Sequence, residues 1–119
     1  MTKGKVVLVP FPFDDLTATK VRPAVCLTEP IGIHRHVILG FVSSQPPQNL
    51  EATDILLHPR HIDFGRTGLR VASVLRIHRV VTLSTNLIQR ELGELSAALQ
   101  QEMNRKLMVL FGLNMPSRA

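Results

Sequence analysis

The sequence predicts a small, mostly β barrel that is capped by one C-terminal helix. Short β-branched and apolar runs, separated by segments rich in proline and glycine, extend through the chain as far as residue 92. An amphipathic repeat with helical spacing follows them. The chain has 119 residues, 45% of them hydrophobic, which is enough for one domain with a single core. Many short strands followed by one terminal helix are typical of a capped barrel.

Each predicted strand ends at a proline, a glycine turn or a polar segment. The predicted strands are 6–9, 23–28, 36–42, 54–58 and 71–83. The third is a continuous apolar run, as expected of a strand that is buried on both faces. The fifth is long enough to be one strand or a bent pair. Between the strands we predict loops over 11–20 and 45–53 and irregular structure over 59–70.

The C-terminal part predicts a helical turn, a short strand and a long helix. The turn begins at residues 84–86, and residues 89–92 return as a strand. Apolar residues then recur at spacings of four, four, four and three, which defines one face of a helix over about 97–111. Ser96 is a suitable N-cap, and Gly112 is suited to the position after the helix. The repeat consists of Leu95, Leu99, Met103, Leu107 and Leu110.

Composition narrows the classes of function. The formal net charge is +5, which favours polyanionic partners such as nucleic acid or an acidic protein. No apolar run approaches the roughly 20 residues that span a bilayer, and the N-terminus lacks an apolar run of signal-peptide length. The single cysteine, Cys26, lies within an apolar strand, so we expect it in the core. We therefore expect a cytoplasmic protein with no membrane association.

Two short polar segments at strand ends are the main functional signal. Arg22 lies just before the apolar run 24–27, and Ser43 lies just after the run 37–42. Consecutive strands are usually neighbours, so the two side chains are expected to lie close together. A guanidinium binds phosphate through two parallel hydrogen bonds, and a hydroxyl beside it donates another. The pair suits cleavage of RNA in which the ribose 2′-OH attacks its own phosphate. The alternative is that Arg22 forms an ion pair with Asp14 or Asp15.

Histidines and arginines outside these segments leave other interpretations open. His34 and His36 have strand-like spacing that could bring two imidazoles to one side, and His58 and His61 lie three residues apart. Such pairs could perform acid–base cleavage or bind zinc. No cysteines or clustered carboxylates complete a ligand set, so we expect no metal and no cofactor. A stretch of arginines could contact phosphates or form a solvated face: Arg60, Arg66, Arg70, Arg76 and Arg79.

Several segments, in the same order and spacing, resemble the MazF/PemK family of toxin endoribonucleases. They are residues 7–16 (VLVPFPFDDL), 20–24 (KVRPA), 37–45 (VILGFVSSQ), 73–76 (SVLR), 82–83 (TL) and 92–96 (LGELS). The resemblance extends from Gly4 to the terminal helix. It implies an SH3-like barrel of the CcdB/PemK type with a C-terminal helix, a single domain over 1–119 and a homodimer. It also implies metal-independent cleavage of single-stranded RNA and a cognate acidic antitoxin as partner.

The resemblance also assigns roles by position. Arg22 matches the catalytic arginine of the family's Arg-Pro motif, and Ser43 matches its catalytic threonine or serine. Because the pKa of arginine is above ~12, we expect Arg22 to stabilise charge rather than carry a proton. Six further residues are expected to contact RNA: Phe13, Asp15, Lys20, Ser44, Gln45 and Arg76.

Two positions depart from the family pattern. Members often carry an acidic residue where this chain has Lys5, and many carry one where it has His78. These departures bear on sequence specificity and leave Arg22 and Ser43 untouched. Two non-catalytic alternatives remain: a binding toxin of the same fold, as in a gyrase poison, and an inactive relative that acts as a repressor or scaffold.

Overall fold

The computed structural model describes residues 1–11, 20–45 and 48–113. In this part of the chain, six strands are followed by one α-helix. They are β1 (Lys5–Phe11), β2 (Lys20–Cys26), β3 (His36–Ser43), β4 (Asp54–Leu57), β5 (Ser73–Ser84), β6 (Arg90–Glu94) and α1 (Ala97–Leu110). Two short 3-10 helices, Phe64–Thr67 and Thr85–Leu87, flank β5. The second of these is the helical turn predicted at residues 84–86.

The strands form one curled antiparallel sheet in the order β4-β5-β3-β2-β1-β6. The predicted mostly β, barrel-like fold with a C-terminal helix is thereby confirmed. β5 is the longest strand, and its pairing with β3 shifts register between Gly40 and Phe41. The first part of β5 pairs with both β3 and β4, whereas its second part pairs with β3 alone.

The second strand begins earlier than predicted. Pro23 was predicted to be its first residue, but β2 begins at Lys20. Pro23 lies within the β1–β2 pairing, opposite Leu8. On its other side, β2 pairs with β3 only from Ala24 onward. Proline has no backbone N–H to donate to a ladder, which accounts for the shorter pairing on that side.

Buried side chains form two clusters on opposite faces of the sheet. Val6 and Val25 belong to the larger cluster, whereas their neighbours Val7 and Cys26 belong to the smaller one. Successive strand side chains point to opposite faces, so adjacent residues are divided in this way. Cys26 is fully buried, as expected, and this desolvation raises the pKa of its thiol to about 11.

The terminal helix covers the larger cluster with the predicted apolar face. Leu95, Leu99 and Met103 are buried in it, and Leu107 and Leu110 pack at its margin. The Ser96 hydroxyl caps the helix by accepting from the Leu99 N–H at 3.3 Å. Gly112 adopts φ +67° just beyond the helix. Within the described residues, α1 and the two 3-10 helices lack the length and apolar character needed to cross a membrane.

Candidate active-site groove

A groove of about 560 Å³ lies beside the ends of β2 and β3. Four of the residues predicted from sequence line it together: Arg22, Ser43, Ser44 and Gln45. Its far wall is formed by residues 68–71 and by β6. The structure therefore brings both polar segments of the sequence into one site.

Arg22 and Ser43 lie just beyond the paired part of β2 and β3. The β2–β3 ladder pairs Cys26 with Leu39 and Ala24 with Phe41. When this register is continued by two residues, Arg22 lies opposite Ser43. Because side chains alternate along a strand, both residues lie on the face that carries the smaller apolar cluster.

The Ser43 hydroxyl orders the loop that follows β3. It donates to the Gln45 carbonyl at 3.0 Å and accepts from the Gln45 N–H at 3.2 Å. This compact turn holds Ser44 and Gln45 at the groove. A serine hydroxyl has a single proton to donate, so donation to a bound phosphate requires it to leave the Gln45 carbonyl.

The groove is strongly cationic. Arg70, Arg79 and Arg90 line it with Arg22, and the described residues that line it include no carboxylate. The guanidinium carbon of Arg79 lies 5.1 Å from the centre of the Phe41 ring, which is the geometry of a cation–π contact. Arg22 is exposed and forms no ion pair within the described part of the chain.

Two glycines allow residues 64–68 to pack closely against β6. Gly68 adopts φ +73°, and a Cβ atom there would lie 2.0 Å from the Leu92 carbonyl oxygen. A Cβ on Gly93 would lie 2.2 Å from the Arg66 carbonyl oxygen. The 3-10 helix Phe64–Thr67 therefore packs directly on β6, and Arg70 and Arg90 line the same groove. Arg90 was not predicted from the sequence, because it lies outside every motif. Its position at the groove depends on the pairing of β6 with β1.

Two of the remaining predicted site residues, Lys20 and Arg76, do not line this groove. Lys20 is exposed at the start of β2 and does not line it. Arg76 lies elsewhere, with its Nε 3.2 Å from Oδ1 of Asp54. Phe13 and Asp15 lie outside the described residues, as does the ion pair considered between Arg22 and Asp14 or Asp15.

Asp54 is the centre of a separate cluster of charges. Its side chain is fully buried, and its Oδ2 accepts from the Glu51 N–H at 2.8 Å. His78 Nδ1 lies 3.9 Å from Oδ1 of the same carboxylate. Lys106 of α1 donates to the Asp54 carbonyl oxygen at 2.6 Å. The departure from the family pattern at His78 therefore faces this acidic residue and not the groove.

The other departure, Lys5, also has acidic neighbours. Its Nζ lies 2.6 Å from Glu91 and 3.9 Å from Glu94. The hydrogen bond to Glu91 raises the pKa of Lys5. Lys5 does not line the groove. Both departures are thus compensated locally by carboxylates.

Within the described residues, the histidines come together as candidate metal ligands at most in pairs. Across residues 1–11, 20–45 and 48–113, no three His, Cys, Asp or Glu side chains lie close enough together to hold a metal ion. The Nδ1 atoms of His58 and His61 each accept a backbone N–H two residues ahead, from Arg60 and Asp63, at 3.0 Å. The imidazoles of His34 and His36 lie on one side with ring centres 5.9 Å apart.

Comparison with solved structures supports this architecture. An endoribonuclease from a mycobacterial species, solved in complex with its cognate antitoxin, superposes with a TM-score of 0.67 at 18% identity, covering 98% of this chain and 99% of that one. The Mycobacterium tuberculosis toxin MazF-mt6 gives 0.67 at 18% identity, covering 93% and 99%. MazF from Deinococcus radiodurans gives 0.66 at 20% identity, covering 94% and 96%. At these identities the likeness establishes the fold.

The family is established by the sequence itself. No curated protein matches the chain. The family model of the PemK-like, MazF-like toxins matches residues 2–111, which is nearly the whole chain. The protein therefore belongs to the PemK-like, MazF-like toxin family of type II toxin–antitoxin systems.

Proposed function

We propose that this protein is a metal-independent endoribonuclease that cleaves single-stranded RNA. The observation that carries the proposal is that Arg22 and Ser43 line one groove together with three further arginines. Such a groove attracts a phosphate backbone and holds one phosphate at a fixed position. Membership of a toxin family supports the same assignment.

The proposed chemistry uses the RNA's own nucleophile. The ribose 2′-oxygen forms a bond to phosphorus, the bond from phosphorus to the 5′-oxygen breaks, and the products are a 2′,3′-cyclic phosphate and a 5′-hydroxyl. The 2′-OH loses its proton to water in the open groove, and the leaving oxygen takes one from water. Arg22 holds the non-bridging oxygens and offsets the negative charge that develops on them. Ser43 donates a second hydrogen bond after turning away from Gln45.

The surrounding residues would bind the substrate strand. Arg70, Arg79 and Arg90 line the groove and would contact neighbouring phosphates of the strand. Ser44 and Gln45 lie at the groove and offer hydrogen-bonding groups. Phe13, Asp15 and Lys20 stay predictions as RNA contacts. Arg76 is a weaker candidate than it was from sequence, since Asp54 already holds its guanidinium.

We further propose an acidic antitoxin and a second copy of this chain as partners. A protein of net charge +5 with a cationic groove suits an acidic segment that lies over the groove and excludes RNA. A related mycobacterial endoribonuclease was solved with its cognate antitoxin. Val109, Phe111 and Leu113, near the end of α1, are each at least 60% exposed and offer apolar surface for a homodimer. We expect the pair to act in the cytoplasm.

The decisive experiment is cleavage of a defined RNA in the presence of EDTA. We expect fragments with a 2′,3′-cyclic phosphate and a 5′-hydroxyl, identified by mass spectrometry. A matched substrate with one 2′-deoxy nucleotide at the scissile position should stay intact, because it lacks the nucleophile. Products that end in 5′-phosphate, or cleavage of the deoxy substrate, would exclude this mechanism. Binding of RNA without cleavage would favour the non-catalytic alternative.

A further inference from the structure

A second depression, of about 460 Å³, lies at the end of β3 opposite to the groove. His36 is the first residue of β3 and Ser43 is the last, so the two sites are about 23 Å apart at roughly 3.3 Å per residue. The proposed RNA chemistry uses none of the side chains here. The depression is lined by Ile33, His34, Arg35, His36, Ser84 and Asn86.

Backbone hydrogen bonds hold the turn that carries the two histidines. Ile31 and His36 exchange N–H···O bonds at 2.7 and 3.0 Å, and the Arg35 N–H donates to Gly32 at 3.1 Å. The Thr85 N–H donates to the Arg35 carbonyl at 3.0 Å, which ties the turn to the end of β5. Arg35 itself adopts φ 52°, a left-handed conformation that non-glycine residues seldom adopt. The path of the chain from His34 to His36 is thus fixed from both sides.

The two imidazole rings lie close together. Their ring centres are 5.9 Å apart and their planes are inclined by 37°. A zinc or copper ion lies about 2 Å from each imidazole nitrogen that binds it, so two rings at this separation share one ion when one nitrogen of each turns toward it. Neither imidazole hydrogen-bonds to another described residue, which leaves the ring nitrogens available to an ion.

We propose that His34 and His36 chelate one divalent ion of the imidazole-binding class, such as Zn²⁺ or Cu²⁺. Two protein nitrogens leave room for water and for oxygen donors on Ser84 and Asn86, which line the same depression. The competing occupant is a phosphate-type anion held by Arg35. The metal is favoured because two adjacent imidazoles offer two nitrogen lone pairs to one ion, which a metal ion uses and an anion does not. The inference is independent of the proposed RNA cleavage.

Calorimetric titration of the untagged protein with ZnCl₂ and CuCl₂ tests the site. We expect one ion per chain, tighter binding of Cu²⁺ than of Zn²⁺, and no binding of Mg²⁺, which prefers oxygen ligands. His34→Gln and His36→Gln should each weaken binding at least 10-fold, because one imidazole alone cannot chelate. His58→Gln is the matched control: it also removes an exposed histidine, and it should leave binding unchanged.

Arg35→Gly separates the metal from the anion. Glycine accepts the left-handed conformation, and the substitution removes the positive charge beside the ion. Zn²⁺ binding should therefore be unchanged or tighter, and Zn²⁺ should still raise the Tm. Inorganic phosphate that binds the wild type and is lost in Arg35→Gly would overturn the proposal in favour of an anion site. Zn²⁺ affinity that is unaffected in both histidine variants would overturn it as well.

Discussion

Arg22 and Arg76 are the same side chain on neighbouring parts of one sheet, yet their surroundings differ completely. Arg22 is exposed at a groove that it shares with three other arginines, and it has no ion pair among the described residues. The Arg76 side chain is 18% exposed and binds a carboxylate that is entirely buried. Among the described residues, the charge of Arg22 is uncompensated, whereas that of Arg76 compensates Asp54.

The comparison shows that strand register determines whether each arginine forms an ion pair. Arg76 lies opposite Asp54 in the β4–β5 ladder, so the ion pair forms across two neighbouring strands. Arg22 lies opposite Val9 on one side and, by continuation of the ladder, opposite Ser43 on the other. Neither of those residues is a carboxylate. We therefore expect Arg22 to control the cleavage activity and Arg76 to control the stability of the fold.

Arg22→Ala should cause the largest loss of activity. Removing one neutral donor from a charge-stabilising site costs about 100- to 1,000-fold in rate, and a charged bidentate donor contributes more. We expect initial cleavage rates to fall by more than about 1,000-fold, with the free energy of unfolding changed by less than about 0.5 kcal/mol. Arg22→Lys keeps the positive charge but loses the two parallel N–H donors of the guanidinium, and it should recover part of the rate. Cleavage at the wild-type rate by Arg22→Ala would show that the site is elsewhere.

Arg76→Ala should have the opposite effect. It leaves the buried Asp54 carboxylate without its guanidinium partner, which typically costs about 3–5 kcal/mol of stability. Urea unfolding measures this loss, and the cleavage rate per folded molecule should stay close to wild type. The control is Asp54→Asn combined with Arg76→Met, which removes both charges and should recover much of the stability. A large loss of rate in a folded Arg76→Ala protein would restore Arg76 as an RNA contact.

Local signals in the sequence predicted most of the fold and four of the residues that line the groove, Arg22, Ser43, Ser44 and Gln45. Ser96, Gly112 and the apolar repeat between them define α1 from nearby residues alone. Arg22 and Ser43 were predicted together because consecutive strands usually pair. Arg90 was missed because it reaches the groove only through the pairing of β6 with β1. These two strands are neighbours in the sheet but lie far apart in the sequence. Long-range register of this kind has no local signature.

Ser43→Ala should have a smaller effect than Arg22→Ala. A neutral hydroxyl contributes less than a guanidinium, and we expect a loss of about 100-fold in cleavage rate. The same substitution removes both hydrogen bonds that order the Gln45 turn. Ser43→Thr keeps the hydroxyl and should retain most of the activity. Alanine and threonine variants with equal rates would assign Ser43 to the turn and not to the chemistry.

Arg90→Gln should produce the smallest change, and it tests whether the groove binds a phosphate backbone at all. Each phosphate contact to single-stranded nucleic acid contributes about 0.7 to the slope of log K against log salt. Loss of one contact should therefore lower the slope by about that amount and weaken binding by several-fold, with similar effects for different RNA sequences. The matched control is Arg105→Gln, which removes an exposed arginine of α1 outside the groove lining. Fluorescence anisotropy with an RNA carrying one 2′-deoxy nucleotide at the cleavage position measures binding without turnover. Equal slopes for the two variants would mean that Arg90 lies off the path of the RNA and that the cationic wall opposite Arg22 serves another ligand.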